Sequence, residues 1–559
     1  MGVFVSEGSF LKPFYSRFLR FFSLILLGIS ALSLIVFPHP FSASSSPTHT
    51  PSPIPYTDLN PLGANFFLDR EVELWKREQT VKMAKEAGIG WAKILFSWEG
   101  IEPKKGQFLD DQYRKSTWEK YDQIVDLCQK YGLRIIARLD RAPDWARQDK
   151  SLKTGPPADF NDYGDFVYAV VSRYKGRIQH YQIWNEPNIW PEWGDQPVDP
   201  EGYVQLLRVA YQRAKEADPN CLILSAPLAQ TLEKSPRNLN ELDYLDAMYQ
   251  AGAKDNFDIL FANGYGFDRP PSDPPHPEVL NLARITLLPQ VMERHGDIQK
   301  AVWLNEFGWN AAPEDYPPDK LQWRRVSEEQ QAKYTYEGIE LARSWGWIGV
   351  INLWYFRQVG DILPQESSSY YFRIVDVDFT PRLVYYKLQE LSTNFKHASP
   401  GYHEETSPAV ETKGSWMPLL DPDASGGTLV VSDQPGDSLT FAFEGTEVDL
   451  LYRGDPLSGR LQVSIDGRPS RGDYVDLFTA EGGREILRQR VARGLRPGRH
   501  TLELTITSDS NPQSGGRWCF IDAFEVGNDP ILWPFYASVG FILLAIVGLA
   551  SSFFLRRPR

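Results

Sequence analysis

Apolar residues recur along this chain with two different periods, and the change from one to the other divides it. From Pro61 onward, short runs rich in β-branched and aromatic residues predict strands at 63–68, 91–97, 134–139, 180–184, 222–226, 259–262, 301–305 and 349–355. Between them, apolar positions three and four apart predict helices over 77–87, 118–131, 163–174, 201–217, 242–251 and 328–345. Every strand after the first follows such a helix or a segment long enough to hold one. The span 61–357 therefore has the pattern and size of an eightfold β/α (TIM) barrel with long loops. An open doubly wound sheet is the alternative, disfavoured because no glycine-rich phosphate turn follows an early strand. After a polar break at 397–413 the period shortens to two. Short strands are expected at 428–433, 438–443, 448–452, 461–465, 474–478, 485–491, 500–506 and 518–526, separated by turn signals such as Asp466-Gly467 and Pro497-Gly498. This second domain reads as an all-β, jelly-roll-like sandwich.

Two stretches break the alternation altogether. Residues 21–37 carry no charge and follow Lys12, Arg17 and Arg20; residues 531–555 are also uncharged and stop at Arg556, Arg557 and Arg559. Seventeen residues rise only about 26 Å as a helix, so 21–37 is either a signal peptide or a retained anchor, while 531–555 is long enough to span. Basic residues flank the outer side of each segment, which by the positive-inside rule places both ends in the cytoplasm and the middle outside. The expected organisation is a cytoplasmic N-terminus (1–20), the signal or anchor (21–37), a Ser/Pro-rich linker (38–57), the barrel (58–396), a linker (397–413), the sandwich (414–528), a transmembrane helix (531–555) and a basic cytoplasmic tail (556–559). The expected location is the cell membrane, with both folded domains on its extracellular side.

Composition narrows the chemistry. Against 59 basic residues stand 72 acidic ones, and a net charge of −13 is the wrong sign for wrapping phosphate backbones, so nucleic acid is not an expected partner. The three cysteines and eight histidines are scattered without ligand spacing, so no metal site, disulfide or cofactor is expected. Seventeen tryptophans, most of them between Trp75 and Trp354, suit a protein that handles flat, weakly charged ligands such as sugars.

In a barrel of this kind the working side chains lie at the C-terminal ends of the strands. The fourth predicted strand runs into Trp184-Asn185-Glu186-Pro187-Asn188 and the seventh into Asn305-Glu306-Phe307-Gly308-Trp309, each bringing a carboxylate to the rim. Two carboxylates facing one cavity are what cleavage of a glycosidic bond requires. WNEP on strand four together with the Glu of NEFGW on strand seven resembles the clan A glycoside hydrolases, nearest to families 39 and 5, over roughly residues 59–395. The resemblance implies that Glu186 is the general acid/base, that Glu306 is the nucleophile of a retaining double displacement, and that Asn185 meets the sugar 2-hydroxyl. It also implies that Tyr265 places its hydroxyl near the nucleophile and that Trp354 is the platform under the reacting sugar. Trp98, Trp145, Trp190 and Trp309 are candidates for further subsites, against the bland reading of each as packing. Asp140 and Arg141 are equally open as an ion pair or as ligands. Two positions depart from the family pattern: Lys93 stands where many relatives have Arg, and Asn263 where they have His. Lys93 supplies charge near Glu306 without the two-pronged geometry of a guanidinium. The expected substrate is an extracellular oligo- or polysaccharide. The rival expectation is a catalytically silent glycan-binding or cell-surface scaffold, and the sandwich resembles the carbohydrate-binding-like modules appended to glycosidases without a diagnostic sugar motif.

Overall fold

The computed structural model describes residues 54–528 apart from 361, 422 and 484, together with 18, 21–26 and 533–554. Eight strands, β1 (Leu62–Phe66), β2 (Trp91–Ser97), β3 (Arg134–Asp140), β4 (His180–Ile183), β5 (Leu222–Leu224), β6 (Leu260–Tyr265), β7 (Val302–Gly308) and β8 (Ile348–Leu353), form one parallel sheet in the order β5-β4-β3-β2-β1-β8-β7-β6. A parallel bridge between Leu224 and Ile259 joins the two end strands, so the sheet closes into a barrel. β1, β4, β5, β6, β7 and β8 are buried along their whole length, so their apolar residues run without a regular polar alternation and their few polar ones face the barrel interior. The helices packed outside follow strand by strand: α1 (Leu74–Glu86), α2 (Glu119–Lys130), α3 (Phe160–Tyr174), α4 (Pro200–Ala217), α5 (Glu241–Gln250), α6 (Leu288–Arg294), α7 (Glu328–Ser344) and α8 (Leu383–Asn394). Short polar side chains start several of them: Asp159, Asp199, Asn240 and Ser327 each accept a hydrogen bond from the first turn. α6, a seven-residue helix entered from a 3₁₀ turn and Pro289, is too short to give a clear helical period.

The barrel interior is layered. Near the N-terminal ends of the strands, Trp91, Ile136, Leu222, Phe261, Trp303 and Val350 form an apolar plug, with the Trp91 and Trp303 rings 5.0 Å apart. Toward the opposite end the buried side chains turn polar: Asn65, Lys93, Gln182, Asn263, Asn305, Glu306 and Asn352. That gradient gives the barrel a sealed floor and a chemically active mouth.

The second domain is a sandwich of two antiparallel sheets. One has the order 417–420, 428–432, 519–527, 447–453, 486–492, with 401–404 also paired to 519–527; the other has the order 410–413, 438–444, 499–506, 460–465, 468–476. Phe441 and Phe524 stack across the core at 4.3 Å. The segment 397–413, expected as a linker, is a correction: Gly401–Glu404 and Val410–Lys413 are strands of the sandwich. Both are short and polar, Val410–Lys413 is an edge strand, and their hydrogen bonds come from the backbone, so hydropathy does not mark them. The strand Met417–Leu420 is apolar, but it is only four residues long, largely exposed and at the edge of its sheet, so it shows no inward and outward alternation. Where barrel meets sandwich, the Asp58 carboxylate accepts a hydrogen bond from the Glu404 amide at 3.0 Å and lies 3.3 Å from His403 Nδ1, and the Asp58 carbonyl accepts from the Thr406 hydroxyl at 2.7 Å. The Trp303 indole donates to the Tyr56 carbonyl at 2.9 Å, fixing the chain's entry under the floor.

Of the expected segment 21–37, residues 21–26 are helical and 27–37 lie outside the described residues, as do 1–17, 38–53 and 556–559. The helix Trp533–Phe554 falls within the expected span 531–555, and its side chains are described for 540–551. Among the described residues no helix is long and apolar enough to cross a membrane.

Candidate active site

Glu186 stands three residues past the end of β4, on a backbone that sequence alone does not announce. Trp184 and Glu186 both adopt left-handed conformations, with φ of 68° and 42°, and the turn is held by Trp184 N donating to Leu139 O at 3.1 Å and Glu186 N donating to Pro227 O at 3.0 Å. Non-glycine residues in this region are strained and persist where the surroundings fix them. Glu306 is the fifth residue of β7, 7% exposed, and its register partner on β6 is Asn263. Asn263 Nδ2 donates to Glu186 Oε1 in a short contact, while Asn305 Nδ2 donates to Asn263 Oδ1 at 2.8 Å. The Tyr265 hydroxyl donates to Glu306 Oε2 at 2.6 Å. One asparagine thus bridges from the strand beside Glu306 to Glu186, and the two glutamates lie near enough at the mouth for the charge of Glu306 to act on Glu186.

The electrostatics follow from that enclosure. Burial pushes the Glu186 carboxyl well above the ordinary carboxylate range, and the negative charges of Glu306 and Glu192 push it further. Burial likewise raises the Tyr265 phenol, and Glu306 adds to it, so the phenol remains a donor. Lys93, 2% exposed on β2, lies 3.9 Å from Glu306 Oε1. Its Nζ has no hydrogen-bond partner among the described residues, and burial pulls it down to about 7 against the opposing pull of Glu306. Lys93 therefore does face the candidate nucleophile, as a point charge.

The remaining expected residues divide. Asn185 is buried beside Glu186, its Oδ1 facing Gln182 Nε2 at 3.4 Å. Trp354, half-buried past β8, meets Phe67 edge-on at 6.0 Å next to the cluster of Tyr265, Tyr355 and Phe372. Two tryptophans, Trp98 and Trp309, are corrections. Trp98 is fully buried, stacked on Phe166 and hydrogen-bonded through its indole to Glu102 Oε2 at 2.7 Å, so it packs α3 against the barrel and meets no ligand. Trp145, half-buried, leans edge-on against Trp98 with its indole on the Glu102 carbonyl at 3.0 Å. Trp309 is 1% exposed; its indole donates to Arg269 O at 2.8 Å and its ring fills the space over Gly266, where a Cβ would lie 1.9 Å from the ring. Trp190 is exposed, with its indole 3.3 Å from Asp195. Asp140 pairs not with Arg141 but with Arg138, two residues back on the same face of β3, at 2.6 Å from Nε and 2.5 Å from Nη2. Arg141 has a left-handed backbone with φ of 64°, and its charge acts on Glu192. Glu192, in the loop after β4, is a third carboxylate of the site, 3.5 Å from Asn185 Nδ2. Among the described residues no group of three or more His, Cys, Asp or Glu is arranged to hold a metal ion.

No family model matches the chain. Over 128 residues, 22% of this chain and 18% of the relative, it is 26% identical to the chloroplastic beta-glucosidase-like protein SFR2 of Oryza sativa subsp. japonica. Over 112 residues, 18% of this chain and 22% of the relative, it is 28% identical to a beta-xylosidase of Geobacillus stearothermophilus. The matched stretch thus spans about a fifth of the length of each curated relative. Among solved structures, a family 39 glycoside hydrolase from Bacteroides cellulosilyticus WH2 superposes with a TM-score of 0.47 at 18% identity, covering 80% of this chain and 81% of that one. A glucosidase from Croceicoccus marinus gives 0.46 at 12% identity, covering 82% and 98%.

Proposed function

We propose that the protein is a retaining glycoside hydrolase acting on extracellular β-linked oligo- or polysaccharides. The observation that carries this reading is the network at the barrel mouth, in which Asn263 and Tyr265 draw Glu186 and Glu306 into one site while burial keeps Glu186 protonated. In the first step Glu306 attacks the anomeric carbon as Glu186 gives its proton to the departing glycosidic oxygen, leaving a glycosyl ester on Glu306. In the second, Glu186, now a carboxylate, takes a proton from water, the water oxygen attacks the anomeric carbon, and the ester bond to Glu306 breaks. Lys93 and the Tyr265 hydroxyl stabilise the Glu306 carboxylate before attack and as it leaves. Asn185 meets the sugar 2-hydroxyl, and Trp354 supports the apolar face of the ring. The names of the two curated relatives, a beta-xylosidase and a beta-glucosidase-like protein, favour a β-glycoside. A panel of aryl β-glycosides assayed with the full chain tests the reading. Aglycone release, and capture of a 2-fluoro glycoside on the peptide holding Glu306, are the expected results; release of no aglycone from any member refutes it.

The uncharged segments at 21–37 and 531–555, with arginines on their outer flanks, support a further part of the proposal: the protein is held at the cell membrane with barrel and sandwich on the extracellular side. Retention in the membrane fraction at alkaline pH, together with digestion of both domains by protease added to intact cells, is the expected outcome.

A further inference from the structure

Glu192 lies six residues beyond Glu186, and the loop between them is pinned. The Glu192 amide donates to Ile189 O at 2.9 Å, and its carbonyl accepts from the indole of Trp184, itself 1% exposed, at 3.2 Å. From this fixed backbone the half-buried side chain reaches Asn185, with Oε2 3.5 Å from Nδ2, while Gln182 Nε2 stands 3.4 Å from Asn185 Oδ1. The Asn185 amide is therefore held between a donor on β4 and an acceptor in the loop. That assignment leaves its second N–H for the substrate. Both contacts are at the long end of hydrogen-bond distance.

The charged groups acting on this carboxylate are Arg138, Asp140 and Arg141 from the end of β3 and Glu186 from its own loop, while Glu186 also feels Lys93 from β2 and Glu306 from β7. Arg138 is engaged by Asp140, and Arg141 forms no ion pair among the described residues. Burial raises Glu192, whereas Arg138 and Arg141 favour its ionised form. In the free protein two carboxylates act on Glu186. Once Glu306 has become an ester its charge is gone, and Glu192 is the one that remains.

We propose that Glu192 is a positioning residue of this site: its carboxylate fixes the Asn185 amide toward the sugar 2-hydroxyl and keeps a negative charge beside Glu186 after Glu306 has been esterified. The inference rests on the hydrolase reading above. It makes Glu186 a stronger base in the second step than an isolated acid/base would be, because the neighbour that disfavours its ionised form does not vanish with the first step.

Two variants of the full chain separate the parts. Glu192→Gln keeps an acceptor of the same size and removes the charge; the alkaline limb of kcat/KM, which follows Glu186 in the free enzyme, moves to lower pH by about one pH unit. Glu192→Ala also releases Asn185, so kcat on an aryl glycoside falls about tenfold or more beyond Glu192→Gln, while the matching 2-deoxy glycoside shows no such extra loss. An alkaline limb unmoved in both variants, or equal losses on the two substrates, overturns the proposal. A readout without turnover stands beside these: difference infrared titration of the carboxyl band that disappears in Glu186→Gln. A band titrating at lower pH in Glu192→Gln supports the charge coupling even if no glycoside is cleaved, in which case the hydrolase reading alone fails. A band that does not move overturns the coupling even if hydrolysis is robust.

Discussion

At the mouth of the barrel Glu186, Glu192 and Glu306 gather at the ends of two strands, and at the opposite end Glu404, Glu405 and Asp522 are packed where the sandwich meets the barrel floor. Both groups are buried, and burial raises carboxyls in both. Glu404 is pushed up to about 9, Glu405 to about 8 and Asp522 to about 7. The surroundings differ. At the junction the donors are hydroxyls, Ser425 to Glu404 at 2.7 Å and Thr428 to Glu405 at 2.5 Å, on side chains that lock a turn. At the mouth the partners are an asparagine that links two strands, a tyrosine aimed at one oxygen, and a lysine held without a hydrogen bond. A raised carboxyl is therefore no mark of chemistry by itself; the opposed charge, the shared bridge and the strained backbone at Trp184 and Glu186 make the difference.

The sharpest break between the two ends is Glu306→Ala, expected to lower kcat/KM on aryl glycosides by about 10⁴-fold or more with the thermal unfolding midpoint nearly unchanged. Glu186→Gln follows, with a loss of about 10² to 10⁴ on substrates with poor leaving groups and a much smaller one on dinitrophenyl glycosides, whose aglycone departs without a proton. Tyr265→Phe removes one hydrogen bond to Glu306 and is expected to cost about ten- to a hundredfold in kcat, read in the same assay. At the junction the expected signature is in stability. Glu404, Glu405 and Asp522 titrate near 4 when unfolded, so from about pH 4 up to about 9 the folded protein holds protons the unfolded chain has released, and stability falls as pH rises. Denaturant unfolding across that range should show the fall, and Glu404→Gln should flatten it while changing kcat/KM by less than about twofold. A tenfold loss of activity in Glu404→Gln would erase the distinction between the two ends.

Much of the barrel was legible because its parallel strands are buried on both faces. The expected strand at 91–97 is β2 to the residue, and the motif around Glu186 falls at the end of β4. What escaped depends on contacts between distant residues. Trp98 and Trp309 follow strand ends and so read as rim residues, yet each finds its indole acceptor inside the protein, at Glu102 and at Arg269. Asp140 pairs with Arg138 because alternate residues of a strand share a face, whereas adjacency suggested Arg141. Glu192 carries no strand-end signal; the clue in the sequence is an acid set between Trp190 and Trp193 in the loop that follows WNEP. The sandwich's first strands, polar and short, gave hydropathy nothing to register.

The polypeptide comes in beneath the barrel floor at Tyr56 and Asp58, and the strand ending at Gly527 pairs through Ala523 with Glu404, whose amide donates to Asp58. Incoming and outgoing segments therefore lie toward one end of the barrel, and the polar mouth with Glu186 and Glu306 lies at the other. If the proposed membrane attachment holds those two segments, it does so at the end of the barrel opposite Glu186 and Glu306.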